Sequence, residues 1–403
     1  VAPTRLRRTV ASATLCAVLG TTLLTTGPAS LAAPGESTWT PDLAQITEDD
    51  ANVRFTGGAL RLAGEPVRAA SAMHDRDEGS LVLAAHELAT PANRIAATVD
   101  ATVPGDAQLS VDVRGELAGG EWSEWTTAPA ELPEAAKRVE VRIAMVNSRD
   151  GRSPEVRGLR LSAESGPQVA AEPRAAARSY RVYATREGLV GGTTANGHVI
   201  KSRDHFVALP SGKSLSPKNT GTYSVKVCTA SRCAWAAVWD KGPWNIKDDY
   251  WNPSAQREMW KNLPQGKPEA QAAYQDKYNG GKDGFGRVVQ NPAGIDLADG
   301  TFWDGLKLSD NAWVTATYLW TGTGTFGTVR STGGGPVNVR NAAKSTATQV
   351  GMAGNYARAQ VDCQVTGDSV TGSQGTSNVW FRIHAGMYVP KAFVSGVASV
   401  RAC

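Results

Sequence analysis

The stretch AAVWDKGPWNIKDDYW, residues 236 to 251, sets an acid, Asp240, behind an apolar run and before Lys-Gly-Pro, with Trp244, Tyr250 and Trp251 close after it. An acid that follows Trp235, Ala237 and Trp239 is partly desolvated, which raises its pKa and holds the proton a general acid must donate. The same residue is also a good turn former, able to accept from backbone amides two or three positions later. Both roles stay open at this point. Upstream, His198 ends TANGH, and Asp204 and His205 lie in SRDHFVALP. A histidine moves a proton near neutral pH or holds a carboxylate in place. Asp204 offers a second carboxyl, or a capping bond at the start of FVALP. Trp239, Trp244, Tyr250 and Trp251 have large ring faces suited to the apolar C–H faces of sugars. These residue types together suggest acid-assisted chemistry on a glycan. With no phosphate loop, nucleotide fingerprint or Cys/His metal cluster in the sequence, no cofactor and no metal are expected.

The elements that must carry these residues are strands, because glycine is abundant and helical periodicity scarce. TYSVKVC and CAWAAVW read as two strands joined by the turn TASR, with Cys228 and Cys233 facing each other at the mouth of the hairpin. Cys363 and Cys403 form the second expected pair. Residues 1–32 read as an export signal: Arg5, Arg7 and Arg8 precede a short apolar core, and small residues stand before a cleavage point after Ala32. Leu15 is too bulky for Cys16 to be a lipidation site, so no membrane anchor is expected. The four remaining cysteines suit the oxidising compartment outside a cell.

Without residues 1–32 the formal charge falls from +4 to +1, which gives no support to a nucleic-acid partner. The charge is uneven: residues 36–165 hold 13 Lys and Arg against 22 Asp and Glu, whereas residues 166–403 hold 26 against 16. Either this is ordinary surface charge, or the basic half faces a polyanion.

Residues 36–165 contain six short strand patterns at regular spacing, the mark of a β-sandwich. Its EWSEWT motif, with Trp122 and Trp125, reads as half-buried packing in preference to a sugar platform. A Pro- and Ala-rich linker spans 166–179. A second β domain covers 180–321, interrupted by an insertion at 245–292 in which PSAQREMWKNL and PEAQAAYQDKY read as short helices with proline at N1. The last domain is 328–403.

Two of these segments carry resemblances. GLVGGTTANGHVI, YSVKVC with CAWAAVWDKGPW, and GIDLADGTFWDGL resemble, in that order, the double-psi β-barrel of the rare lipoprotein A type, whose relatives include expansins and certain lytic transglycosylases. The resemblance implies that Asp240, in Asp-x-Gly-Pro, lies in a groove and acts as the acid in catalytic members, and that Asp296 holds the psi loop. Catalytic relatives carry Glu where this chain has His198, and histidine cannot replace a carboxylate as an anionic stabiliser of an oxocarbenium ion. Val337-Asn338-Val339-Arg340, Gly375-Thr376-Ser377-Asn378 with Trp380, and Gly386-Met387-Tyr388-Val389 resemble the bacterial SH3-like domain of secreted actinobacterial proteins and cell-wall hydrolases, which implies a small barrel that binds the wall.

The expectation is therefore a secreted, mainly β, multidomain protein that binds and remodels cell-wall glycan, peptidoglycan first. Strand cleavage by a lytic transglycosylase or glycosidase route is one form of this, a non-catalytic expansin-like loosening module another, and a secreted protease inhibitor a third. The expected partner is a cell-wall polysaccharide, and the sequence does not reach the oligomeric state.

Overall fold

In a computed structural model, the protein is described over residues 37–64, 76–167 and 176–403, and these residues are mainly β. The expected export signal and the middle of the expected linker lie outside the described residues. The alternating patterns of the first part form strands whose partners change along their length. His86–Thr102 pairs first with Ala130–Val146 and then with Glu155–Glu164, and Ala130–Val146 continues between Glu78–Val82 and Gln108–Gly115. This single nine-stranded sheet encloses a core that includes Leu60, Leu81, Val113, Ile143, Met145 and Leu161.

Residues 178–318 close into a six-stranded barrel. Around it run Phe206–Leu209, Ala293–Leu297, Arg178–Arg186, Ala312–Tyr318, Ser224–Cys228 and Cys233–Lys241, and the last pairs back with the first. Two of the six pairings are parallel, Arg178–Arg186 with Ala293–Leu297 and Phe206–Leu209 with Cys233–Lys241. Alternation sends Ala234, Ala236 and Val238 into the barrel core and Trp235, Ala237 and Trp239 outward. Cys228 and Cys233 are bonded across the hairpin, and Cys363 is bonded to Cys403, the pairing expected from the sequence.

The insertion contains one of the two expected helices, Glu269–Asp276 behind Pro268. The other, PSAQREMWKNL, is a series of turns. Its backbone answers to neighbouring side chains: Glu258 N donates to Asp249 Oδ1 (2.6 Å), the buried Arg257 guanidinium is paired with Asp248, and Trp260 takes a left-handed φ of 60°. Buried ionic anchors here outweigh local helix propensity.

The C-terminal strands do not stand apart from the barrel. Gln349–Ala353 pairs in parallel with Cys233–Trp235, extending the barrel sheet to eleven strands. Gly351 permits this approach, since a Cβ there would sit 2.0 Å from the Cys233 carbonyl oxygen. Trp235 and Leu319 of the barrel pack in the same core as Val339, Phe381 and Val389. No helix among the described residues is long and apolar enough to cross a membrane.

Candidate functional site

Asp240 is the penultimate residue of Cys233–Lys241 and is fully buried. Its Oδ1 accepts from the amides of Ala195 (2.8 Å) and Lys241 (2.8 Å). Backbone amides aimed at one oxygen stabilise a carboxylate. The Ala195 bond is long-range in sequence, tying the TANGH loop to the strand end. The local bond goes to the next residue, Lys241, not to the amides two or three positions on that a turn would use.

The partner of Asp240 is a residue that the sequence reading passed over. Glu187 directly follows strand Arg178–Arg186. Both of its carboxyl oxygens are buried, and no N–H or O–H of another residue donates to them. Burial first, then the charges of Asp240, Asp296 and Asp299, hold Glu187 well above the usual carboxylate range. Carboxyls that share one desolvated space disfavour ionising together, which is what raises Glu187 beside Asp240. The available signal was an acid at the end of an alternating strand, one position before the GLVGG block.

Asp296, the acid of GIDL, is the third carboxyl of this cluster. It accepts from Thr185 Oγ1, and burial, opposed by that bond and reinforced by Asp240, pushes it up to about 7. Asp299 is ion-paired with Arg186 (2.7 Å).

His198, Asp204 and His205 form a separate group beside this cluster. His198 Nε2 meets Asp204 Oδ2 at 2.7 Å, and its ring lies 4.7 Å from that of Trp239, on the outer face of the strand. The register shifts by one residue here, pairing Val207 with Val238 but Ala208 with Asp240, so Asp240 lies with Ala208 and Asp296 on the outer face that also carries Trp239. Asp204 also accepts from Lys201 N (2.6 Å), which fixes the loop in place of the expected cap. His205 is buried; desolvation pushes it down to about 4 against the pull of Asp304 and Asp204, so it is neutral at pH 7.

The four aromatics proposed as sugar contacts divide in the same way. Tyr250 and Trp251 are fully buried, Tyr250 bonding Tyr318 and the Gly294 carbonyl and Trp251 bonding Glu124, so neither offers a face to a ligand. Trp239 is also buried, its Nε1 donating to Thr220 O at 2.8 Å. Trp244 remains half-exposed, held by Asn291 Oδ1 (3.0 Å). Among the described residues, the one His, Cys or acid grouping tight enough for a metal is Cys228, Cys233 and His384, and its sulfurs are committed to the disulfide.

A family model described as a domain of unknown function (DUF8814) matches residues 178–317. This is the closed barrel, from its first strand to the last. No curated protein and no solved structure matches the chain.

Proposed function

We propose that this is a secreted protein that binds and remodels a cell-wall glycan, with the barrel as its working part. The observation that carries the reading is the burial of two carboxyls, Glu187 and Asp240, each at the end of a barrel strand. It supplies a protonated carboxyl beside one held by two amides, the division of labour that acid-assisted glycosidic cleavage requires. Glu187 is the acid and Asp240 the anion that stabilises positive charge developing at the sugar. This reverses the role read for Asp240 from sequence, and it makes His198 unnecessary as a replacement for the relatives' Glu. The paired disulfides fit an extracellular setting. The double-psi and SH3-like resemblances favour peptidoglycan as the polymer and the C-terminal module as its anchor.

A second reading, the non-catalytic binder, is favoured by the burial of both carboxyls, which as observed meet no solvent. The two are separated by incubating the protein with purified peptidoglycan, chitin and cellulose and analysing supernatants by mass spectrometry. Cleavage predicts soluble fragments from one polymer, lost in Glu187→Gln and in Asp240→Asn while pelleting with that polymer persists. Release that survives Glu187→Gln removes the assigned acid. Retention on the pellet with no fragments from any polymer establishes the binder.

A further inference from the structure

Two chain segments adjoin Asp240, and the N-terminal sheet grips both of them. The first is the TANGH loop, whose Ala195 amide bonds Asp240. Its tip, Gly197, is pressed against the loop at Asp50–Ala51 so closely that a Cβ would lie 2.8 Å from Ala51 Cβ and 3.6 Å from the Asp50 carbonyl. The second segment is the strand end itself. Lys241, next to Asp240, reaches Glu78 of strand Glu78–Val82 at 2.6 Å, with both side chains mostly buried. Beside it, Arg142 is paired with Asp112 (2.8 Å) and donates to the Gly212 carbonyl of the barrel (3.1 Å).

These grips are backed by a deeper attachment. The EWSEWT loop enters the barrel: Trp125 is buried in the barrel core, its Nε1 bonds Leu215 O (3.1 Å), and Glu124 accepts from Trp251, Asn252 and Trp320. The space remaining along this seam, lined by Asp49, Ser80, Trp125, Arg142, Asn196 and Leu215, is about 10 Å³, no more than one water.

We propose that the N-terminal sheet is a clamp that locks the carboxyl site shut, so that a polymer reaches Glu187 and Asp240 only when the seam through Glu78–Lys241 and Ala51–Gly197 opens. The inference takes from the functional reading only that these carboxyls are the site. The observation it explains is that, of two acids at strand ends of a barrel, Glu187 has no exposed oxygen and Asp240 has no exposed surface.

The test reads accessibility and not activity, so it stands whether or not the protein cleaves glycan. The full chain is treated with a water-soluble carbodiimide and a labelled amine, and modified carboxyls are mapped by mass spectrometry. In the unaltered chain Glu187 and Asp240 are expected to label far more slowly than the exposed Asp276. Glu78→Lys sets two cations against each other, and combining it with Trp125→Ala removes the deeper attachment. Labelling of Glu187 should then rise several-fold, with the buried Asp248 of the insertion still protected. The charge-reversed pair Glu78→Lys with Lys241→Glu should restore protection. Rapid labelling of Glu187 in the unaltered chain overturns the clamp, as does protection that persists in the double variant. If Asp248 is labelled too, the barrel has opened by itself, and failure of the charge-reversed pair to restore protection then overturns the proposal.

Discussion

At the scale of single residues, the site is governed by how many carboxyls share one desolvated space. Asp296 has a folded value of about 7 against an ordinary 3.8, with burial as the largest cause. A carboxyl raised in this way binds its proton more tightly in the folded chain. Its contribution to stability is complete below about 3.8 and is lost as pH rises through about 7. Asp296→Asn keeps the acceptor for Thr185 and removes the charge, so the variant should gain thermal stability over the parent at pH 8 and gain little at pH 4. Melting curves at the two pH values check this, and an equal shift at both would mean that folding does not raise the Asp296 pKa above its unfolded value. Arg257 gives the opposite case. Its guanidinium and the Asp248 carboxyl are both essentially unexposed, and burial pushes Asp248 up to about 6 even beside Arg257. Arg257→Ala strands a buried charge and should cost about 3–5 kcal/mol near pH 8. The loss should be smaller at pH 5, where Asp248 carries its proton; urea unfolding at both pH values measures the difference.

At the scale of elements, loop length ranks the two disulfides. Cys228 and Cys233 are separated by 5 positions and Cys363 and Cys403 by 40. In the chain-entropy model these loops are worth about 2 and about 4 kcal/mol. Replacing Cys363 and Cys403 by serine should therefore lower the denaturation midpoint about twice as far as replacing Cys228 and Cys233, with the denaturant slope as a control for changes in the unfolded state. The strand patterns and the helix at Glu269–Asp276 were legible because period and proline placement are local properties. The failure of PSAQREMWKNL to form a helix was not legible, since Asp248 and Asp249, which organise it, act through side-chain bonds that a periodicity cannot display.

At the scale of the whole molecule, three cores exchange residues. Trp125 leaves the N-terminal sheet for the barrel core, and Trp235 and Leu319 of the barrel belong to the C-terminal core. Arg358 of the C-terminal part is also ion-paired with Glu121 in the loop that enters the barrel. Shared cores and a continuous sheet couple the unfolding of the parts, so calorimetry should show one main transition, with calorimetric and van't Hoff enthalpies close to each other. Three separable transitions would show that the boundaries near residues 166–179 and 326 are energetic as well as sequential.

The sequence by itself determined what depends on near neighbours: the β character, the hairpin with its disulfide, the second cysteine pair and the presence of an acid at position 240. The tertiary structure decided which carboxyl faces which. Glu187 and Asp240 are 53 positions apart and meet because barrel closure brings two strand ends together. It also decided that Tyr250, Trp251 and Trp125 serve as core, because an aromatic's pattern in the chain is the same whether its ring meets a sugar or another tryptophan. Burial is set by what the other strands leave uncovered, and that quantity exists only once the chain has closed.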